Sequence, residues 1–149
     1  MRGSYFLVIR LPAETEVRTR GRRFRLKAGY YVYVGSAMNS LEKRVARHFR
    51  RNKKLHWHID FLLRKAQLLR AYMIPSDVKL EERLSLEVSR FGEPVNGFGA
   101  GDVGVKSNLY RFKAEPDAFL TGILEGFNLE WVRVKSEEEA INPGGKDEA

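Results

Sequence analysis

The stretch Gly29–Arg51, GYYVYVGSAMNSLEKRVARHFRR, most narrows what this chain can fold into. Tyrosines and valines at Tyr30–Val34 lead into the small residues Gly35, Ser36 and Ala37, after which apolar positions recur every four residues instead of every two. That switch of period predicts a strand broken at Gly35, a turn, and an amphipathic helix. Alternation along the strand sends Tyr31 and Tyr33 to one face and Tyr30, Val32 and Val34 to the other. Asn39-Ser-Leu-Glu42 has the spacing of a capping box, with Asn39 as N-cap and Glu42 at the third helical position. Leu41, Val45 and Phe49 then form the buried stripe. Arg44 and His48 lie one turn apart at its edge, and Arg47, Arg50 and Arg51 continue outward. An edge position lets packing hold a side chain while its tip still reaches a ligand.

Around this unit the sequence alternates short strands and helices. Tyr5–Ile9 is apolar on both faces, as a central strand requires. Val17–Leu26, VRTRGRRFRL, reads as a basic hairpin turning near Gly21. A second helix is expected from about His56 to Ala66, a strand at Gln67–Ile74, and a helix at Leu80–Phe91 that buries Leu80, Leu84, Leu86 and Val88. A glycine-rich loop, Gly92–Gly104, precedes a short strand at Leu109–Phe112. Pro116 then opens a helix over Asp117–Gly126, followed by a strand at Leu129–Val134. The order predicts an α+β fold, a small mixed, mainly antiparallel sheet flanked by helices. Residues 1–113 form the principal domain, 114–135 a helix–strand extension packed on it, and 136–149 an acidic tail expected to be disordered.

The 149 residues suit one domain, and the net charge of +8 is unevenly spread. Residues 1–60 carry 15 Lys and Arg against 4 acids, whereas residues 114–149 carry 9 acids against Arg133, Lys135 and Lys146. A basic first half favours a polyanionic partner, nucleic acid first, over a merely solubilising surface. No apolar run is long enough for a membrane span, and no signal peptide is evident, so a cytoplasmic protein is expected. With no cysteine there is neither a thiolate metal site nor a cysteine nucleophile.

Gly3-Ser4-Tyr5, Tyr33-Val34-Gly35, Arg44 and His48 together resemble the signature of the GIY-YIG nuclease superfamily, and YVGSAMNSLEKRVARHFR is its most specific part. His56-Trp57-His58-Ile59-Asp60 and Gly97-Phe98-Gly99 narrow the resemblance to an uncharacterised branch found alone or fused to endonuclease III. It covers residues 3–112 and includes the inserted Val17–Leu26 hairpin. The resemblance implies a divalent-metal-dependent endonuclease that hydrolyses phosphodiester bonds, in DNA repair or processing, with DNA ahead of RNA as substrate. It implies Tyr5 and Tyr33 side by side at the site, Arg44 facing the scissile phosphate, and a glutamate on a later helix holding one Mg²⁺ or Mn²⁺. Glu81 is the first choice for that ligand, with Glu82 and Glu87 behind it.

These residue types suit the chemistry. A forked guanidinium can hold two oxygens of a phosphate that gains charge in hydrolysis. Mg²⁺ keeps most of its waters and needs few carboxylates. His48 is expected either to contact phosphate or to brace the site. Arg18, Arg20, Arg22, Arg23 and Arg25 of the hairpin, with Arg47, Arg51, Lys53 and Lys54, would form a surface for the phosphate backbone. His56 and His58 are counted with the nucleic-acid contacts, near the site or in core hydrogen bonds with Asp60 holding one of them, ahead of the metal that a His-x-His pair can bind. Plainer readings stand beside these: tyrosine is common in sheets, and glutamate on exposed helices. The alternative function is a catalytically inactive nucleic-acid-binding module on the same scaffold; a protein-interaction domain that engages a basic partner through the acidic tail is a further one.

Overall fold

A computed structural model describes residues 1–99 and 107–144. Its strands are β1 (Gly3–Leu11), β2 (Thr15–Thr19), β3 (Arg22–Leu26), β4 (Gly29–Ala37), β5 (Gln67–Pro75), β6 (Glu93–Pro94), β7 (Leu109–Phe112) and β8 (Val132–Val134). Its helices are α1 (Leu41–Phe49), α2 (His58–Leu63), α3 (Glu81–Ser89), α4 (Asp117–Gly126) and α5 (Glu137–Ile141). Six strands make one sheet in the order β6-β7-β4-β1-β5-β8, and β2 and β3 pair as a separate hairpin. The fold is α+β as expected, although the pairings among these strands are all antiparallel rather than mixed.

β1 lies between β4 and β5, and its apolar residues on both faces are buried. Tyr5, Leu7 and Ile9 meet α1, α2, the β2–β3 hairpin and Ala140 of α5 on one side. Phe6 and Val8 meet Leu84 and Val88 of α3 and Leu120, Ile123 and Leu124 of α4 on the other. The alternation in β4 follows the same division, with Tyr31 and Tyr33 toward α1 and Val32 and Val34 toward α3. A two-faced core explains the continuous apolar run in β1, because neither face can be polar.

Several boundaries differ from the sequence reading. The β4 strand does not break at Gly35; Gly35, Ser36 and Ala37 continue the ladder opposite Tyr5, Ser4 and Gly3. Small residues there admit a neighbour's ring rather than turn the chain. The α1 N-cap is Ser40, whose side chain accepts a hydrogen bond from the Lys43 backbone N–H, not Asn39. Glu42 instead takes the Met1 amino group at 2.9 Å. Helix α2 is shorter than expected, and Leu86 is exposed rather than buried. The acidic tail is not wholly disordered: Ser136 caps α5, whose buried Ala140 packs in the core with α1 residues. The helix–strand extension, expected to pack on the main domain, contributes β8 to the main sheet beside β5. Part of the expected Gly92–Gly104 loop, from residue 100 on, lies outside the described residues; its beginning contains β6 and two left-handed glycines, Gly97 and Gly99.

Asp60 is the joint between α1 and α2. Its carboxylate is fully buried, accepts two hydrogen bonds from the Arg47 guanidinium (2.9 and 3.0 Å), and accepts the backbone N–H groups of His56 and Trp57. Burial by itself would raise the Asp60 pKa, but Arg47 and the two backbone donors outweigh it and hold the carboxyl below its ordinary range. Arg47→Ala would leave this carboxylate buried without its cation and should lower unfolding free energy by roughly 3–5 kcal/mol. Urea denaturation at pH 7 measures the loss; a change within about 0.5 kcal/mol, as at an ordinary surface site, would contradict a joint of this kind.

Candidate active site

The residues of interest converge because three neighbouring segments end near one point. In the register of β1 and β4, Tyr5 stands opposite Gly35. A Cβ on Gly35 would lie 2.5 Å from the Tyr5 Oη and 2.9 Å from its Cε1. The ring therefore occupies the space a side chain would take, and only glycine allows it to lie across the strand. Tyr33, two residues before Gly35 on the same face, brings its ring centroid within 6.4 Å of Tyr5.

The α1 helix crosses above this pair. His48 Nε2 lies 2.8 Å from Tyr5 Oη in a buried hydrogen bond, and the His48 ring is also 6.5 Å from Tyr33. His48 is not at the rim of the helix stripe but inside the core, only 2% exposed. Its Nδ1 has no hydrogen-bond partner among the described residues. Arg44, one turn earlier, donates from Nη1 to the Ser36 carbonyl at 3.0 Å. The Trp57 indole lies between two cations, with the Arg44 and Arg47 guanidinium carbons 4.6 and 4.7 Å from a ring centroid. Arg47, anchored by Asp60, thereby fixes Trp57, and Trp57 gives Arg44 a flat surface to lie on.

Glu81 reaches the same place from the other side of the sheet. The β7 ladder to β4 covers Tyr30–Tyr33 and is followed by a bond from the Val34 N–H to the Asn108 carbonyl, past which side chains meet β4. There Glu81, in the first turn of α3, accepts a hydrogen bond from Ser36 Oγ (2.7 Å) and another from Asn108 Nδ2 (2.8 Å). Asn108 also donates to the Gly99 carbonyl, and Gly99 borders the Tyr33 ring.

Electrostatics separate the groups sharply. Burial raises the Tyr5 pKa well above that of a free phenol, against the opposing pull of the Arg44 guanidinium. Burial raises Tyr33 in the same direction, with Tyr5 and Glu81 adding to it. His48 is pushed down to about 3, first by burial and then by Lys53, with Arg47 and Arg44 adding to the effect against Asp60. At neutral pH the centre is thus two neutral phenols and a neutral imidazole, flanked by a guanidinium and a carboxylate. Such a set offers a guanidinium at Arg44, a carboxyl group at Glu81 and a neutral hydrogen bond between Tyr5 Oη and His48 Nε2.

Tyr5, Tyr33, Arg44, His48 and Glu81 are therefore brought together, while the wider set of expected basic contacts is not one surface. Arg47 does not point outward but is tied to Asp60, and Lys53 Nζ donates to the carbonyls of His48 and Arg50 at the end of α1. Arg18 and Arg23 pair with Glu16, and Arg25 with Glu14. Arg22 lies over Phe24. Arg20, Arg51 and Lys54 are exposed. His56 is exposed beside Trp57, and His58 packs on Phe24 and Phe98; Asp60 holds neither imidazole. Glu82 is exposed, and Glu87 pairs with Arg90. Sequence reading missed Ser36, Asn108 and the clamp made by Trp57. Ser36 could have been found, since alternation places it on the α3 face of β4; Asn108 carries no local signal.

An antiparallel α+β domain with a buried phenol–imidazole pair, a clamped arginine and a polar-bonded glutamate defines the class of site. The family profile described as "Domain of unknown function DUF123" matches residues 4–128, and the chain belongs to that family. Comparison with curated proteins and with solved structures gives no match.

Both the ring packing and the neutral imidazole can be measured. Gly35→Ala should force Tyr5 off its bond to His48 and destabilise the protein by roughly 1–3 kcal/mol, the usual cost of overpacking a core; a crystal structure of the variant without the Tyr5–His48 hydrogen bond checks the cause. His48 in the unfolded chain binds a proton near pH 6.5, but in the folded chain only near 3. Its contribution to stability is therefore present at pH 7 and is lost as pH falls from about 6.5 toward 3. Between pH 7 and 5 wild type should lose about 2 kcal/mol more than His48→Gln. Urea midpoints at the two pH values measure it, and equal losses would mean that His48 is not held neutral.

Proposed function

We propose that this protein is a nucleic-acid-binding endonuclease of GIY-YIG type that hydrolyses phosphodiester bonds with the help of one divalent cation. The observation that carries the reading is the meeting of a phenol–imidazole pair, a guanidinium and a carboxylate from β1, α1 and α3 at one edge of β4. Arg44, held by Ser36 and Trp57, would bind non-bridging phosphate oxygens, where charge grows during hydrolysis. Tyr5 Oη is the atom that would take a proton from water while passing its own to His48 Nε2. His48 is a weak base in the free protein; the negative charge of a bound phosphate would make it a stronger one. Tyr33 flanks the Tyr5 ring, with the two centroids 6.4 Å apart, and would line the side of the site.

Glu81 fits the metal that this chemistry calls for. Its two oxygens each accept one hydrogen bond and retain lone pairs. Among the described residues there is no group of three or more His, Cys, Asp or Glu side chains suited to a metal. A site with one carboxylate matches Mg²⁺ or Mn²⁺ that keeps most of its waters. Such an ion, held by Glu81, would stabilise the leaving oxygen and acidify a water. Among the described residues no helix is long and apolar enough to cross a membrane. A cytoplasmic role in DNA repair or processing, with DNA before RNA as substrate, is the setting we propose.

One observation favours a second reading, an inactive nucleic-acid-binding module. Tyr5 is 2% exposed and its phenol is held strongly neutral, which suits a packing residue as well as a proton carrier. Cleavage assays separate the two. Purified protein with supercoiled plasmid, and with nicked or branched oligonucleotides, should nick in Mn²⁺ and not in EDTA. Arg44→Ala and Glu81→Ala should each slow nicking by about 100-fold or more, with binding changed only a few-fold. Tight binding without any wild-type nicking would establish the binding module instead. Nicking that survives both substitutions would show that the reacting residues lie elsewhere.

A further inference from the structure

At the C-terminal end of α1, beside His48 and the loop that follows, lies a cavity of about 470 Å³. Its volume falls within the range of small-molecule sites, roughly 300–1,000 Å³. Its polar wall is Arg50, Arg51, Asn52, Lys53 and Arg64, with no acidic residue among the lining side chains. Its floor is apolar, from Phe49, Leu63 and Leu68. The cations are concentrated because the end of α1, the following loop and the end of α2 all open onto the start of β5.

The four cations are not equivalent. Lys53 is drawn inward to the carbonyls of His48 and Arg50, and Arg50 pairs with Glu137 of α5 at 3.1 Å. Arg51 and Arg64 are exposed and have no ion pair among the described residues. Positive groups crowd one another here: burial first, and then Arg47, Arg51 and Arg50, hold the Lys53 ammonium below its ordinary pKa in spite of Asp60. Repulsion among like charges in a concave wall is relieved by an anion. A cationic wall above an apolar floor is complementary to a phosphate joined to a sugar and base.

We propose that this cavity is a second phosphate subsite, which takes a nucleotide unit of the bound strand other than the one at the Tyr5 centre. The proposal rests on the nucleic-acid reading above and specifies how the substrate extends from the site. His48 belongs to both places, bonding Tyr5 through Nε2 and lining the cavity. Occupation of the subsite therefore bears directly on the residue that braces the phenol. The phosphate could be an internal phosphodiester or the terminal phosphate of a strand end, since both present the same oxygens to Arg51 and Arg64.

The test is binding in EDTA, so that no cleavage is needed. Wild type, Arg51→Gln/Arg64→Gln, and the charge-matched control Arg90→Gln/Lys113→Gln would be titrated with three DNAs across a salt series. These are a closed circle, a 5′-phosphorylated duplex and the same duplex with 5′-hydroxyl ends. Arg51→Gln/Arg64→Gln should bind about 10-fold more weakly than the control, with a salt slope smaller by roughly 1 for each phosphate no longer neutralised. Weakening on all three DNAs assigns the subsite to an internal phosphodiester; weakening confined to the phosphorylated duplex assigns it to a strand end. Binding equal to that of the control on every DNA overturns the subsite while leaving the nucleic-acid reading intact. Wild type that binds none of them overturns both.

Discussion

The packing of Tyr5 against Gly35 is the constraint on which the candidate site depends. Cross-strand neighbours in an antiparallel pair stand about 4.5–5.5 Å apart, too close for a tyrosine to lie flat over any residue with a side chain. With glycine opposite, the Tyr5 ring folds across β4, and its hydroxyl reaches His48 on the helix above. Every other member of the centre is placed relative to that ring. Tyr33 flanks it on the same face, Arg44 acts on its phenol, and Gly35 leads directly to Ser36, which bonds both Arg44 and Glu81. Sheet register, a matter of folding, thus becomes site geometry.

The same packing sets what the groups can do at rest. Tyr5 and His48 are so deeply buried that each avoids charge, one with its pKa driven up and the other with its pKa driven down. Their hydrogen bond is between neutral partners. Charge enters from the rim instead, where Arg44 and Glu81 are only half-buried and face solvent-accessible space. A neutral interior bordered by opposite charges is an arrangement that an arriving phosphate or cation would reorganise strongly, since the local dielectric is low.

What the sequence conveys well are the features with a period or a local chemistry. The central position of β1, the hairpin around Gly21, the face alternation of β4 and the span of α4 all follow from patterns within a few residues. The closeness of Tyr33, Arg44 and His48 was legible because β4 and α1 are adjacent in the chain and their spacings are fixed, whereas Tyr5, on β1, was expected beside them only from the resemblance. Helix α5 was not, because its sequence is acidic and its stability comes from the Ser136 cap and the burial of Ala140 against distant α1 residues. The break expected at Gly35 does not occur for a related reason. Glycine marks both turns and close approaches, and only the partner strand shows which one applies. Asn108 escaped notice since its role is to hold Glu81, a partner 27 residues away, and Ser36 was passed over because the strand was expected to end at Gly35.

Charge shows most plainly how far composition misleads. A net charge of +8 suggests a broad basic face, yet much of the arginine is engaged in holding the protein together. Arg47 satisfies a buried carboxylate, Arg70 joins Asp117 and Glu115, Arg111 donates to the Ala28 carbonyl, and hairpin arginines face Glu14 and Glu16. Surface pairs of this last kind contribute little to stability and yield readily to a stronger anion, whereas Arg47 cannot leave Asp60 without stranding an unpaired charge in the core. The cations available to a polyanion are therefore fewer than the count implies and unequal in strength. Among them are Arg44, half-buried at the candidate centre, and Arg51 and Arg64 of the cavity wall, besides exposed residues such as Arg20 and Lys54. Arg44 sits in α1 and Arg51 follows its C-terminal end, so the helix that completes the candidate centre also sets its spacing from the cavity wall.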